Sequence, residues 1–240
     1  MSETTERPSL RISDEDNAAM RGLHQAVSSG GFAGLVTASR KLREAPTGLV
    51  AALYRRALAQ AEYQAFALKA IVADPLVLER YRAVAAQVLG QRLGAGEWTR
   101  LGGLLASDDP WCRFFAIRAV ASGPTPPTEI VEKLETLMSD DHRLEDVFHV
   151  VPLCDEAAMT RHGLALPPGP AVQGFTARRR TQLSSRDPAL RFAAIRILSQ
   201  LGDFEGVRAL KEWVASGDDE PRGEGRALLD ELRRRASNRP

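Results

Sequence analysis

The chain has 240 residues, 44% hydrophobic but only 6% aromatic, a balance that favours helix over sheet because strands draw on aromatic and β-branched side chains. Its 32 basic and 31 acidic side chains leave a formal charge of +1, which excludes the global basic excess of a dedicated nucleic-acid binder but permits a local basic face. Two cysteines, Cys112 and Cys154, make no disulfide framework, no apolar run is long enough to span a membrane, and the polar start "MSETTERPSLRISDEDN" holds no signal core.

These features predict a soluble, cytoplasmic protein with no membrane partner, and the Arg-, Ala- and Gly-rich composition suggests a bacterial one. Residues 1–12 read as a flexible arm. Ser13 followed by Asp14, Glu15 and Asp16 is a helix start: a capping hydroxyl, then negative charge at the positive end of the dipole. Gly30-Gly31 should stop that helix. Phe32, Leu35, Val36 and Leu42 mark a second, ending before "EAPTG". Leu49, Val50, Leu53, Tyr54, Ala57 and Leu58 recur at helical spacing. The stretch "YQAFALKAI" (63–71) is a further helix, and Asp74-Pro75 should open the next, "PLVLERYRAVAAQVLGQRL". Asp109-Pro110 and Asp187-Pro188 open two more in the same way. Each places a side-chain acceptor before a proline whose missing N–H does no harm. Between them lie a proline-rich turn, "ASGPTPPTEIV" (121–131), and an irregular loop, "HGLALPPGPAVQGF" (162–175).

The chain repeats itself. "SDDPWCRFFAIRAV" (107–120) and "SRDPALRFAAIRIL" (185–198) agree at eight of fourteen positions. Aligned with "YQAFALKAI", they share Ala67, Ala116 and Ala194, then Leu68, Ile117 and Ile195, then Lys69, Arg118 and Arg196. The spacings are 49 and 78 residues, the second being two units of about 39, and such periods mark arrays of helix pairs. Phe114, Ile117 and Val120/Ala121 form one apolar stripe, and Phe192, Ile195 and Leu198 form its counterpart. No unit can hide such a stripe alone, so units must stack. Asp109/Arg113 and Asp187/Arg191, four apart, can pair along the helix surface.

"LGGLLASDDPWCRFFAIRAVASG" and "RTQLSSRDPALRFAAIRILSQLGDFEGVRALKEWVASG" resemble the HEAT-repeat family, most clearly over 96–138 and 173–236. The resemblance implies an all-α, armadillo-like α-solenoid: a right-handed superhelix of about five helix pairs, one domain over 13–240. It also implies an interaction scaffold with a protein partner rather than an enzyme.

Several side chains are candidates for binding. Trp111, Phe115 and Arg118 lie on one helical row (i, i+4, i+7) and have the composition of a protein-binding anchor. Trp98 and Trp213 are the other tryptophans. "FTARRRTQLSSR" supplies Arg178, Arg179, Arg180 and Arg186, with Arg191 and Arg196 on the next helix, a set able to contact phosphates. His142, His149, Cys154 and His162 fall within twenty-one residues and carry ligand types suited to zinc, though at no compact zinc spacing. A helix would put His142 and His149 on one face. No Gly-rich phosphate loop, G-x-S-x-G elbow or H-E-x-x-H occurs, so no cofactor is expected.

"ASDDPWCRFFAI" and "AEYQAFALKAI" also resemble the HEAT-like alkylpurine DNA glycosylases. That resemblance implies a concave basic groove for DNA and removal of a damaged base. The family's run of Trp, two residues, Arg and Ala-Ala-Ile meets Phe114 where the arginine belongs, Arg113 being one step off. The preceding repeat, "PLVLERYRAV", offers Glu79 and Arg82 in place of the family's Trp and Asp. No catalytic residue carries over, which leaves a non-catalytic DNA binder as the alternative to a protein scaffold.

Overall fold

The computed structural model describes residues 13–29, 31–60, 64–91, 95–145, 150–216 and 221–237; the expected arm over 1–12 and His149 lie outside them. Among the described residues the chain is all-α, with thirteen helices and one short hairpin. None of these helices is long and apolar enough to cross a membrane. The chain divides into two compact units, Met1–Pro127 and Thr128–Pro240.

Unit 1 holds α1 (Asp14–Ser29), α2 (Phe32–Lys41), α3 (Thr47–Gln60), α4 (Gln64–Ala73), α5 (Glu79–Gly90), α6 (Ala95–Leu105) and α7 (Pro110–Ala121). Ser13 caps α1 as its sequence predicts, its Oγ accepting the Asp16 amide at 3.1 Å. Asp16 then turns inward. Its two carboxylate oxygens accept the amides of Arg43 and Glu44 at 2.7 Å each, tying α1 to the turn after α2. Leu23, Leu35, Val50, Tyr54, Leu68, Ile71, Leu89 and Leu101 fill the core. Three hydroxyls buried in this core are bonded: Ser39 Oγ and Tyr54 Oη lie 2.8 Å apart, and Tyr81 Oη donates to the Ala45 carbonyl at 3.0 Å.

Asp74-Pro75 departs from expectation. Asp74 Oδ1 accepts the Leu76 amide at 3.0 Å and Oδ2 accepts Arg40 Nε at 2.7 Å, yet the chain makes only a turn. Leu78 is extended, so α5 starts at Glu79. The stripe expected on α7 is also wider than the sequence suggests. That helix packs on α4, α5 and α6, so burial covers Cys112, Phe115, Ala116, Ile117, Ala119 and Val120, while Phe114 is only partly buried and Ala121 is exposed. Close approach is built in at Gly90, where a Cβ would sit 2.2 Å from the Ala119 carbonyl oxygen.

Unit 2 holds α8 (Thr128–Leu137), β1 (Arg143–Glu145), β2 (Val150–Pro152), α9 (Leu153–Gly163), α10 (Pro170–Gln182), α11 (Pro188–Gln200), α12 (Phe204–Ser216) and α13 (Pro221–Ser237). The strands pair antiparallel, with Leu144 opposite Val151. Between α9 and α10 the irregular connection is only 164–169, shorter than the 162–175 read from composition. Pro170 occupies the first turn of α10, where it needs no N–H partner, and Gly174 is tolerated inside the helix. Asp187 caps α11, accepting the Ala189 amide at 2.9 Å and the Leu190 amide at 3.4 Å. Ile195, Leu210, Leu228 and Leu229 form a core under α11, α12 and α13, with Leu183, Trp213 and Val214 around it.

Candidate interaction surfaces and an apolar pocket

On α7 of unit 1, Asp109 sets the start of the helix by accepting the Trp111 amide at 2.9 Å. The Trp111 ring stacks on Phe115 at 5.7 Å and meets Phe114 edge-on at 5.8 Å. Phe115 is 1% exposed and lies beneath the Arg82 guanidinium at 5.0 Å, so it is an interior side chain and no anchor. Phe114 is the neighbouring ring that reaches the surface. It is partly buried, and the exposed Arg118 lies over its ring at 5.4 Å. Counting i+4 from Trp111 gave Phe115; counting i+3 gives Phe114. Both lie near the same row, and only the packing of α7 on its neighbouring helices decides which one turns inward. Trp98 is buried, while Trp213 lies partly buried under Arg191, whose guanidinium is 4.7 Å from the ring.

In unit 2 the arginine run divides among separate tasks. Arg178 Nη2 donates to the Met138 carbonyl at 2.8 Å, just past the C-terminus of α8, where a cation offsets the negative dipole end. Arg179 points inward, pairs with Asp155 of α9 and lies 5.4 Å from the Phe175 ring. Arg180 pairs with Asp203, whose other oxygen accepts the Gly206 amide at 3.1 Å. Burial pushes the Asp203 carboxyl up, but Arg180 and the Gly206 amide outweigh it and hold the group below the usual carboxylate range. Arg186 is exposed, and Arg191 and Arg196 are partly buried. The six arginines therefore form no shared face. The unit that carries them has 17 basic and 19 acidic side chains, a net charge of −2, against +3 from 15 and 12 in unit 1.

The histidine-rich stretch is not helical where a shared face would require it. β1 begins right after His142, and β2 stands before Cys154. His142 is exposed, with Nδ1 2.6 Å from Asp140 Oδ1. His162 is exposed at the end of α9. Cys154 is buried beside Asp155 and Arg179, and burial, followed by the Asp155 charge, pushes its thiol up to about 11 against the opposing pull of Arg179. Such a thiol is protonated at neutral pH and a poor metal ligand. No group of three or more His, Cys, Asp or Glu placed to hold a metal occurs among the described residues.

A pocket of about 390 Å³ lies within unit 2. Its lining includes Met138, Ala158, Leu166, Pro168, Val172 and Leu201 as apolar wall, with Arg161, His162, Thr176 and Asp203 as the polar members. Three helices end at its edge: α8 before Met138, α9 before Ala165 and α11 before Leu201. Two lining residues are left-handed, Gly202 at φ 74° and Ala165 at φ 52°. For glycine this is free; for alanine it is strained. Nothing in the sequence around 158–203 announced this pocket, because its walls come from four separated segments.

No family model matches the chain, and no curated protein matches it. A solved structure described as an engineered protein is similar, with 20% identity, coverage of 91% of this chain and 97% of that one, and a TM-score of 0.45.

Proposed function

We propose that the chain is a non-enzymatic, HEAT-like repeat scaffold that binds a protein partner through the outer side of α7. The observation that carries this reading is the Trp111–Phe114–Arg118 arrangement. Two aromatic rings are held edge-on at 5.8 Å with an exposed guanidinium over one of them. Tryptophan and arginine dominate the energetics of protein interfaces, and here both rings are preorganised by a helix capped at Asp109. DNA binding through 178–196 has less support. Arg178, Arg179 and Arg180 are bonded to the chain's own groups, and their unit carries net negative charge.

Affinity capture from native extract, with a nuclease-treated sample alongside, tests the reading. A protein retained by the wild-type chain should survive nuclease and be lost with R118E and with W111A, each checked for an unchanged unfolding midpoint. Retention that vanishes with nuclease, and duplex DNA binding that weakens as salt rises and with R178Q/R186Q, would replace this reading with the DNA one.

A further inference from the structure

We propose that the pocket of unit 2 is a binding site for a small, uncharged, largely apolar molecule, with the 164–169 connection as its fastened wall. This inference is independent of the α7 surface.

The charge in the lining is already matched. Arg161 Nε donates to Glu135 Oε1 at 2.8 Å, and Asp203 is paired with Arg180. Thr176 Oγ1 donates back to its own helix, to the Val172 carbonyl at 3.0 Å. The two permanent charges in the wall, Arg161 and Asp203, already have partners inside the protein, so a charged ligand would lose its hydration without gaining either of them. An uncharged apolar ligand instead gains from covering Leu166, Val172 and Leu201, which are exposed or only partly buried. The volume, about 390 Å³, sits at the low end of the range of about 300–1,000 Å³ seen for small-molecule sites. His162 is exposed in the lining and can make one hydrogen bond to a hydroxyl or carbonyl on the ligand.

The wall formed by 164–169 is held in place deliberately. Arg161, itself buried, donates Nη1 to the Leu166 carbonyl at 3.3 Å and Nη2 to the Pro167 carbonyl at 2.8 Å. One guanidinium thus fixes two successive carbonyls of the connection and, through Glu135, anchors them to α8. Ala165 is strained within the same segment, and a strained non-glycine residue persists only where its surroundings over-determine it. The backbone of this wall is therefore held in place before any ligand arrives.

Fluorescence titration of the full chain with N-phenylnaphthylamine, a neutral apolar dye, tests the assignment. Saturable binding at one dye per chain is expected. V172W and T176F, which add bulk from two lining positions on α10, should each weaken it at least about tenfold, with circular dichroism and the unfolding midpoint showing a folded chain. Hexanol should displace the dye, and hexanoate and hexylammonium should do so far less. Absence of saturable binding, dye affinity unchanged in folded V172W and T176F, or better displacement by either charged competitor would overturn the proposal.

Discussion

Arg82 of α5 donates from Nη2 to Asp109 Oδ2 at 2.9 Å, while Asp109 Oδ1 caps α7. The same guanidinium donates from Nε to the Val72 carbonyl at 2.7 Å and lies over Phe115. One side chain, 3% exposed, thereby joins the end of α4, the start of α7 and the body of α5. The aspartate that the repeat uses as a helix cap is also the acceptor that locks one helix to another.

R82A should cost about 2–4 kcal/mol of unfolding free energy. It leaves the Val72 carbonyl and part of Asp109 without a donor, softened because Asp109 keeps some access to water. Urea unfolding followed by circular dichroism measures it, and a loss below about 0.5 kcal/mol would contradict the assigned role.

Asp16 should make stability fall in acid. Burial pushes its carboxyl up, but the amides of Arg43 and Glu44 and the Ser13 hydroxyl outweigh burial and hold it below the usual range. A lowered folded-state pKa contributes stability above the unfolded value of about 3.9, and that contribution disappears as pH falls through the folded value. D16N should flatten this dependence relative to wild type in unfolding curves taken from about pH 6 down to about pH 2.

Two glycine-to-alanine changes should have opposite signs. At Gly206 a Cβ would lie 2.4 Å from Leu198 Cβ and 2.8 Å from backbone atoms of α11, so G206A should force α11 and α12 apart at a cost of about 1–3 kcal/mol. Gly103 lies within α6 with nothing within 4 Å of an added Cβ, and G103A should gain roughly 0.5–1 kcal/mol. Thermal unfolding of the two variants side by side separates close packing from helix propensity.

The three consecutive arginines should behave differently. Asp155 is buried, and its Oδ2 has no hydrogen-bond partner, so R179M should strand its charge and cost about 3–5 kcal/mol. R180Q removes a half-exposed cation, and Asp203 keeps the Gly206 amide, so its unfolding midpoint should fall much less than that of R179M. The double replacement D155L/R179M should recover much of the loss, because no unpaired charge remains inside. Recovery absent in the double variant would mean that packing around Phe175, rather than the ion pair, dominates.

Much of the helical architecture was legible in the chain. Ser13, Asp109 and Asp187 cap the helices they precede, because an acceptor two or three residues before free amides is a local event. Asp74 carries the same signal and makes the same bond, its Oδ1 accepting the Leu76 amide, yet the chain makes only a turn there and α5 starts at Glu79. The loop read over 162–175 shrank to 164–169 because proline at the first turn of a helix starts it as readily as proline elsewhere breaks it.

The candidate sites were less legible. Phe115 and Phe114 are neighbours of equal hydrophobicity, and the packing of α7 on α4, α5 and α6 made the first an interior residue and left the second partly exposed. Residue type alone marked Arg178, Arg179 and Arg180 as one basic cluster; their separation by about 100° per residue sent them to Met138, Asp155 and Asp203.

The sequence by itself determined the helical class, the recurring Asp-Pro helix starts and the need for helices to stack, because capping and apolar periodicity act within a turn or two of the chain. Tertiary structure alone decided which aromatic faces water, which arginine is buried and where the unit 2 pocket opens. Each of those depends on groups brought together from distant segments, and a one-dimensional pattern carries no record of their meeting.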